Sequence, residues 1–192
     1  MILVINCGSN KSKHIGEIVD EFMDVKNVQL NEFSEENLKD IDGVIISGAP
    51  ILVTEIDTTS IIEKMSWIKG TELPILGICF GHQIIGLLHG ASASKMKEDR
   101  DWQTVEHYEE CPLFEKLPSE ILMMEDHCET ISIPNGFELV ASSDTCVNEC
   151  MQHLTKNIFG VQFHPEVSGN HGRILIENFI KVVSSSKQLL NN

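Results

Sequence analysis

Short apolar runs alternate with amphipathic stretches through the first half of the chain. Met1–Asn6 (MILVIN), Asn27–Leu30, Gly43–Ser47 (GVIIS) and Leu73–Cys79 (LPILGIC) read as strands. Between them, Lys13–Met23 places Ile15, Ile18, Val19 and Phe22 on one helical face. Ser60–Lys69 does the same with Ile61, Met65 and Ile68, and His82–His89 predicts a third helix. Strands that are apolar at successive positions have both faces buried. Alternation with helices therefore predicts an α/β fold with an open, mostly parallel, flavodoxin-like central sheet and helices on both faces.

The pattern changes after Gly90. Ala91–Tyr108 looks extended and then polar, and KMKEDRDW (Lys95–Trp102) reads as a solvent-exposed hairpin. Shorter strands are predicted at Glu120–Glu125, Glu138–Ser142 and Val147–Leu154, punctuated by Pro134, Asn135-Gly136 and Asp144. These form a mixed or antiparallel extension of the sheet. One more strand, Asn157–Phe163, runs into His164-Pro165-Glu166. A last helix over Arg173–Val183 carries Ile176, Phe179, Ile180 and Val183 at helical spacing. There is no internal repeat and no linker, so residues 1–192 are expected to form a single domain, with about 185–192 a frayed tail.

Composition narrows the function. The net charge of −15 argues against a nucleic-acid surface. No apolar run approaches the roughly 18 residues of a membrane span, and the first residues lack a basic leader. The expected location is cytoplasmic, with the six cysteines as free thiols. Cys146 and Cys150, with His153 beyond them, lack the paired spacing of a zinc site, so no metal and no cofactor is expected.

The chemistry concentrates at PILGICFGHQIIG, Pro74–Gly86. Gly77-x-Cys79-x-Gly81, after an apolar strand and before a helix, has the layout of a nucleophile elbow. The turn lifts the cysteine off the carboxyl edge of the sheet. The glycines let neighbouring backbone pass closely, and the helix N-terminus turns positive potential and N–H groups toward the sulfur. A nucleophilic cysteine needs a base, and the base an orienter. Among the eight histidines, His164 ends a strand and Glu166 follows two residues later. On extended chain these two point the same way.

GICFGHQ (Gly77–Gln83) together with GVQFHPEV (Gly160–Val167) resembles the class I, or triad, glutamine amidotransferases, over nearly the whole chain. The resemblance implies that family's fold and a Cys–His–Glu triad: Cys79 as nucleophile, His164 as base and then acid, Glu166 as orienter. It implies glutamine as substrate, a glutamyl thioester and release of ammonia. ISGAP (Ile46–Pro50) resembles the family's S-G-G-P loop. By that resemblance the Ala49 and Phe80 amides form the oxyanion hole, and Gly48 and Gln83 hold substrate. Ala49 stands where the family usually has glycine, and is strained if the loop requires a positive φ.

The H-P-E-V wording, and IPNGFELVASSDTC (Ile133–Cys146), are similar to the amidotransferase component of guanosine monophosphate synthetases. Asp126-His127-Cys128-Glu129 falls where that group has Ser-His-x-Asp, so His127 and Glu129 become candidates for contact with a synthetase. The chain has no P-loop and no Ser-Gly-Gly-x-Asp-Ser loop to activate an ammonia acceptor. A separate ATP-dependent synthetase subunit is therefore the implied partner. The alternatives are a partner-independent γ-glutamyl hydrolase, which the altered ISGAPILV loop motivates, an anthranilate or aminodeoxychorismate synthase component, and a non-catalytic relative.

Overall fold

The computed structural model describes residues 1–190. The first half is built as its apolar pattern predicts. Strands β1 (Ile2–Asn6), β2 (Val25–Gln29), β3 (Gly43–Ile46) and β4 (Ile75–Ile78) alternate with helices α1 (Ser12–Asp20), α2 (Thr59–Lys64) and α3 (Phe80–Leu88). Then come β5 (Ala93–Asp99), β6 (Trp102–His107), β7 (Glu120–Met124), β8 (His127–Ile131), β9 (Phe137–Ser142), β10 (Cys150–His153), β11 (Ile158–Val161) and α4 (Gly169–Leu190). Nine strands form one sheet in the order β2-β1-β3-β4-β11-β10-β9-β6-β7. The pairings from β2 through β11 are parallel and those beyond are antiparallel.

Alternation along β1 shows why the parallel strands are apolar throughout. Ile2 and Val4 pack with Ile15 and Val19 of α1 and with Phe179 and Val183 of α4. Leu3 and Ile5 face the other way, with Met65, Ile68, Phe80 and Ile84. Period-two side chains with helices on both sides leave no polar face. Each fully buried aliphatic side chain contributes about 1.5–3 kcal/mol relative to exposure, so the centre of the sheet is its most stable part. Among the described residues no helix is long and apolar enough to cross a membrane, and all six cysteines are free thiols.

Register places the site. β4 lies between β3 and β11, with Ile46 opposite Gly77 and Val161 opposite Ile78. Cys79 therefore leaves the sheet flanked by the carboxyl ends of two parallel neighbours. One neighbour continues into Ser47-Gly48-Ala49 and the other into Gln162-Phe163-His164.

Several expectations are corrected. Lys95–Trp102 is not a hairpin: β5 pairs with β8 in a separate two-stranded ribbon, while β6 pairs with β7 and β9. The two strands are adjacent in sequence but each finds a more distant partner. Phe22 is 39% exposed, because α1 ends at Asp20 before its helical face reaches that residue. The Arg173 guanidinium covers its ring at 5.0 Å. The Ser60–Lys69 helix is divided at Met65 into α2 and a 3-10 turn. α4 continues to Leu190, past Val183, so residues 185–190 of the expected frayed tail are helical. Lys187 bonds Asp42 at 2.9 Å, and the Ser184 and Ser186 hydroxyls bond carbonyls one turn back. Residues 191 and 192 lie outside the described residues.

Candidate active site

Cys79 occupies φ 51°, ψ −103°, directly before the first residue of α3. A non-glycine residue with positive φ is strained, at a cost of order 1–3 kcal/mol, and such strain persists only where surrounding structure enforces it. Here the two glycines enforce it by allowing close approach. A Cβ on Gly81 would lie 2.3 Å from the Ile46 carbonyl oxygen, and one on Gly77 would lie 2.6 Å from the Gly81 carbonyl carbon. The first turn of α3 thus sits directly on β3 and β4. Phe80, 1% exposed, anchors that turn in the core. The Cys79 N–H is held by the Val161 carbonyl at 2.8 Å.

His164 arrives from the other side. Its Nδ1 is 2.8 Å from Glu166 Oε1, and both side chains are buried. The pair forms as expected but for a different reason. β11 stops at Val161, and Pro165–Val167 is a 3-10 turn, so the turn brings Glu166 round to the imidazole. Nδ1 is engaged by Glu166, which leaves Nε2 as the ring nitrogen available to Cys79, whose side chain lines the same cavity as the imidazole. Burial alone would lower the His164 pKa. The bonds to Cys79 and Glu166, and the charges of those groups, outweigh it and raise it to about 10.

The main chain of His164 is fixed by strand β7, far away in the sheet order. The Met124 carbonyl accepts the His164 N–H at 2.9 Å. The Met124 N–H donates to Ser168 Oγ at 2.9 Å, and Ser168 Oγ donates to the His164 carbonyl at 2.6 Å. Gly48 makes room on the open side, since a Cβ there would stand 3.0 Å from His164 Cε1. Ala49 is not in the left-handed region, so alanine is unstrained in the ISGAP loop.

Cys79, Phe80, Gln83, Ala49 and His164 line one cavity of about 610 Å³. Gln83 Nε2 donates to Gln162 Oε1 at 3.1 Å, and Gln162 Nε2 reaches Cys79 Sγ at 3.6 Å. Gln162 went unselected in the sequence, although it precedes His164 by two residues. Lys11 and Arg100 complete the rim, each paired with Asp126. A rim of both charge signs can engage the amino and carboxylate groups of an amino-acid substrate.

His127 and Glu129 are both buried. Glu129 accepts the N–H groups of Val53 and Thr54, at 2.7 and 2.9 Å, and the Thr54 hydroxyl. It thereby clamps the loop that follows Ala49-Pro50. His127 Nδ1 donates to the Glu129 carbonyl at 2.9 Å. Cys146, Cys150 and His153 are not joined: His153 packs against Phe137 and His89, whereas Cys146 lies beside His127 and Glu149.

A thiol on a strained strand-to-helix turn, beside a carboxylate-oriented imidazole and on the wall of a cavity, is equipped for acyl transfer from an amide. The chain belongs to the glutamine amidotransferase class-I family, whose sequence profile matches residues 3–182.

Among particular proteins, a glutamine-hydrolyzing GMP synthase subunit of Methanococcus maripaludis strain C5 is 35% identical over 189 residues, covering 94% of this chain and 96% of that one. The glutamine-hydrolyzing GMP synthase of Macrococcus caseolyticus is 32% identical over 187 residues, which are 95% of this chain but 36% of that longer protein. The crystal structure of a candidate GMP synthase subunit from Thermoplasma acidophilum superposes with a TM-score of 0.91 at 32% identity. It covers 100% of this chain and 97% of its own.

Proposed function

We propose that this chain hydrolyses the side-chain amide of glutamine and delivers the ammonia to a separate ATP-dependent synthetase that makes guanosine monophosphate. The observation that carries the chemistry is the Glu166–His164 contact at 2.8 Å beside the strained Cys79. The pathway and the partner rest on the names of the relatives.

His164 takes the proton of the Cys79 thiol. The thiolate attacks the amide carbon, forming a C–S bond and an oxyanion. The Ala49 and Phe80 N–H groups are the donors assigned to that oxyanion, Phe80 being the first residue of a helix whose dipole favours negative charge. His164 gives its proton to the departing nitrogen, the C–N bond breaks and ammonia leaves. Water then attacks the thioester and gives a proton to His164, and the collapsing intermediate expels the thiolate. The sum is glutamine plus water to glutamate plus ammonia. Glu166 keeps the imidazole oriented throughout, and Gln83 with Gln162 fixes the side of the site next to the sulfur.

Glutamate release from glutamine, measured with and without a GMP-forming synthetase, tests the proposal. Release that rises when the synthetase is present and disappears in Cys79→Ala is expected. No release in either condition from folded protein overturns it. High partner-free turnover on another γ-glutamyl amide replaces it with an independent hydrolase.

A further inference from the structure

A second cluster of reactive side chains lies outside the chemistry assigned to Cys79. His127 on β8, Cys146 in the loop before β10, and Glu149 next to Cys150 are all buried. Their ligand atoms lie within 4.8 Å of one another. Each side chain is already supported from behind. His127 Nδ1 donates to the Glu129 carbonyl at 2.9 Å, which fixes the tautomer and leaves the Nε2 lone pair facing the cluster. Thr130 Oγ1 lies 3.3 Å from Cys146 Sγ, and Ser143 Oγ donates to Glu149 Oε1 at 2.7 Å.

The atoms pointing inward have no such support. His127 Nε2, Glu149 Oε2 and both carboxylate oxygens of Glu125 are buried without a hydrogen-bond partner in the protein. Glu125 Oε2 stands 3.2 Å from His127 Nε2. With Nδ1 as the donor, a neutral imidazole turns its Nε2 lone pair toward the Glu125 carboxylate in a water-poor site, and either a shared proton or a metal ion must join the two.

We propose that this cluster is a divalent-metal site of the zinc class. The ligands are His127 Nε2, Cys146 Sγ and Glu149 Oε2, with Glu125 as the fourth. One nitrogen, one thiolate and two carboxylates match zinc, whereas the thiolate disfavours magnesium and calcium. Bonds of about 2.0–2.3 Å in a tetrahedron place ligand atoms roughly 3.3–3.6 Å apart, so the His127, Cys146 and Glu149 atoms close in by at most about 1.5 Å, and Glu125, outside that group, moves in from its place 3.2 Å from His127 Nε2. The ion ties the end of β7, the start of β8 and the 143–149 loop together. Asp126, which holds Lys11 and Arg100 at the cavity rim, lies between two of the ligands.

The test uses the full chain carrying Cys79→Ala, so that the active-site sulfur cannot bind metal. The protein is stripped with a chelator and titrated with Co²⁺ and then Zn²⁺. One equivalent of Co²⁺ should give thiolate-to-cobalt charge-transfer absorption that Zn²⁺ displaces, and Zn²⁺ should raise the Tm. Cys146→Ser should lose the absorption. Thr130→Val, which keeps the shape and removes the hydroxyl from the sulfur, should weaken Zn²⁺ binding about 10- to 100-fold, and it decides the matter if Cys146→Ser does not fold. Absent cobalt absorption, a Tm indifferent to Zn²⁺, or binding unchanged in both variants overturns the proposal.

Discussion

Glu166→Gln isolates what the third member of the Cys79–His164–Glu166 group does. The substitution keeps shape and hydrogen-bonding atoms but removes a charge 2.8 Å from His164 Nδ1, in a buried setting. A hydrogen bond to a charged group contributes about 1.5–3 kcal/mol, against about 1 kcal/mol for a neutral one. Losing that difference of about 0.5–2 kcal/mol when the imidazolium forms lowers kcat about 2- to 30-fold at 1.36 kcal/mol per decade. KM should change little, because Glu166 does not line the cavity.

The pH dependence supplies an independent check. The folded-state pKa of His164, about 10, is above the ordinary 6.5. Its contribution to stability is therefore fully present below about pH 6.5 and is lost as the pH rises through about 10. Removing the Glu166 charge lowers the folded value. The stability deficit of the variant should be largest below pH 6.5 and should shrink toward pH 10, and the alkaline limb of its rate profile should move to lower pH. Glutamate release against pH, with urea melts at matching pH, reads both. A folded variant with unchanged kcat and an unchanged pH profile would falsify the orienting role.

Three further outcomes follow from the same geometry. Cys79→Gly should unfold at higher urea than Cys79→Ala, by about 1 kcal/mol or more, because glycine accepts φ 51°, ψ −103° without the strain; equal midpoints would refute the strain. Gly81→Ala should destabilise by at least about 1–3 kcal/mol and lower glutaminase activity in proportion to displacement of the turn, since its Cβ meets the Ile46 carbonyl at 2.3 Å; a wild-type Tm would contradict the close approach. Glu129→Gln should cost about 1–3 kcal/mol, because it weakens the bonds to Val53 and Thr54; hydrogen exchange at those two amides should rise, and unchanged protection there would count against the clamp.

The motifs were legible because their parts are close in sequence. Gly77, Cys79 and Gly81 specify a turn by themselves, and His164 and Glu166 are only two residues apart. The parallel half of the sheet was legible too, because burial on both faces leaves an uninterrupted apolar run. What escaped depends on pairings that local pattern does not encode. Gln162 gains its place only when Gln83 is brought against it. Ser168 matters because β7 returns to His164. Asp126 meets Lys11 across 115 positions of chain, and Glu129 meets Val53 across 76.

Sequence alone therefore determined the α/β class and singled out the candidate nucleophile, base and orienter that the proposed function uses. The tertiary structure decided three other matters. It showed that alanine at 49 is unstrained and that Glu129 clamps a loop from within the protein. It also separated Cys146 from Cys150 and His153 and grouped it with His127 and Glu149. The physical reason is the same throughout. Backbone propensity and burial periodicity act over a few residues and leave their mark in order and spacing. The polar contacts that orient a site form between strands whose adjacency is set by the packing of the whole sheet.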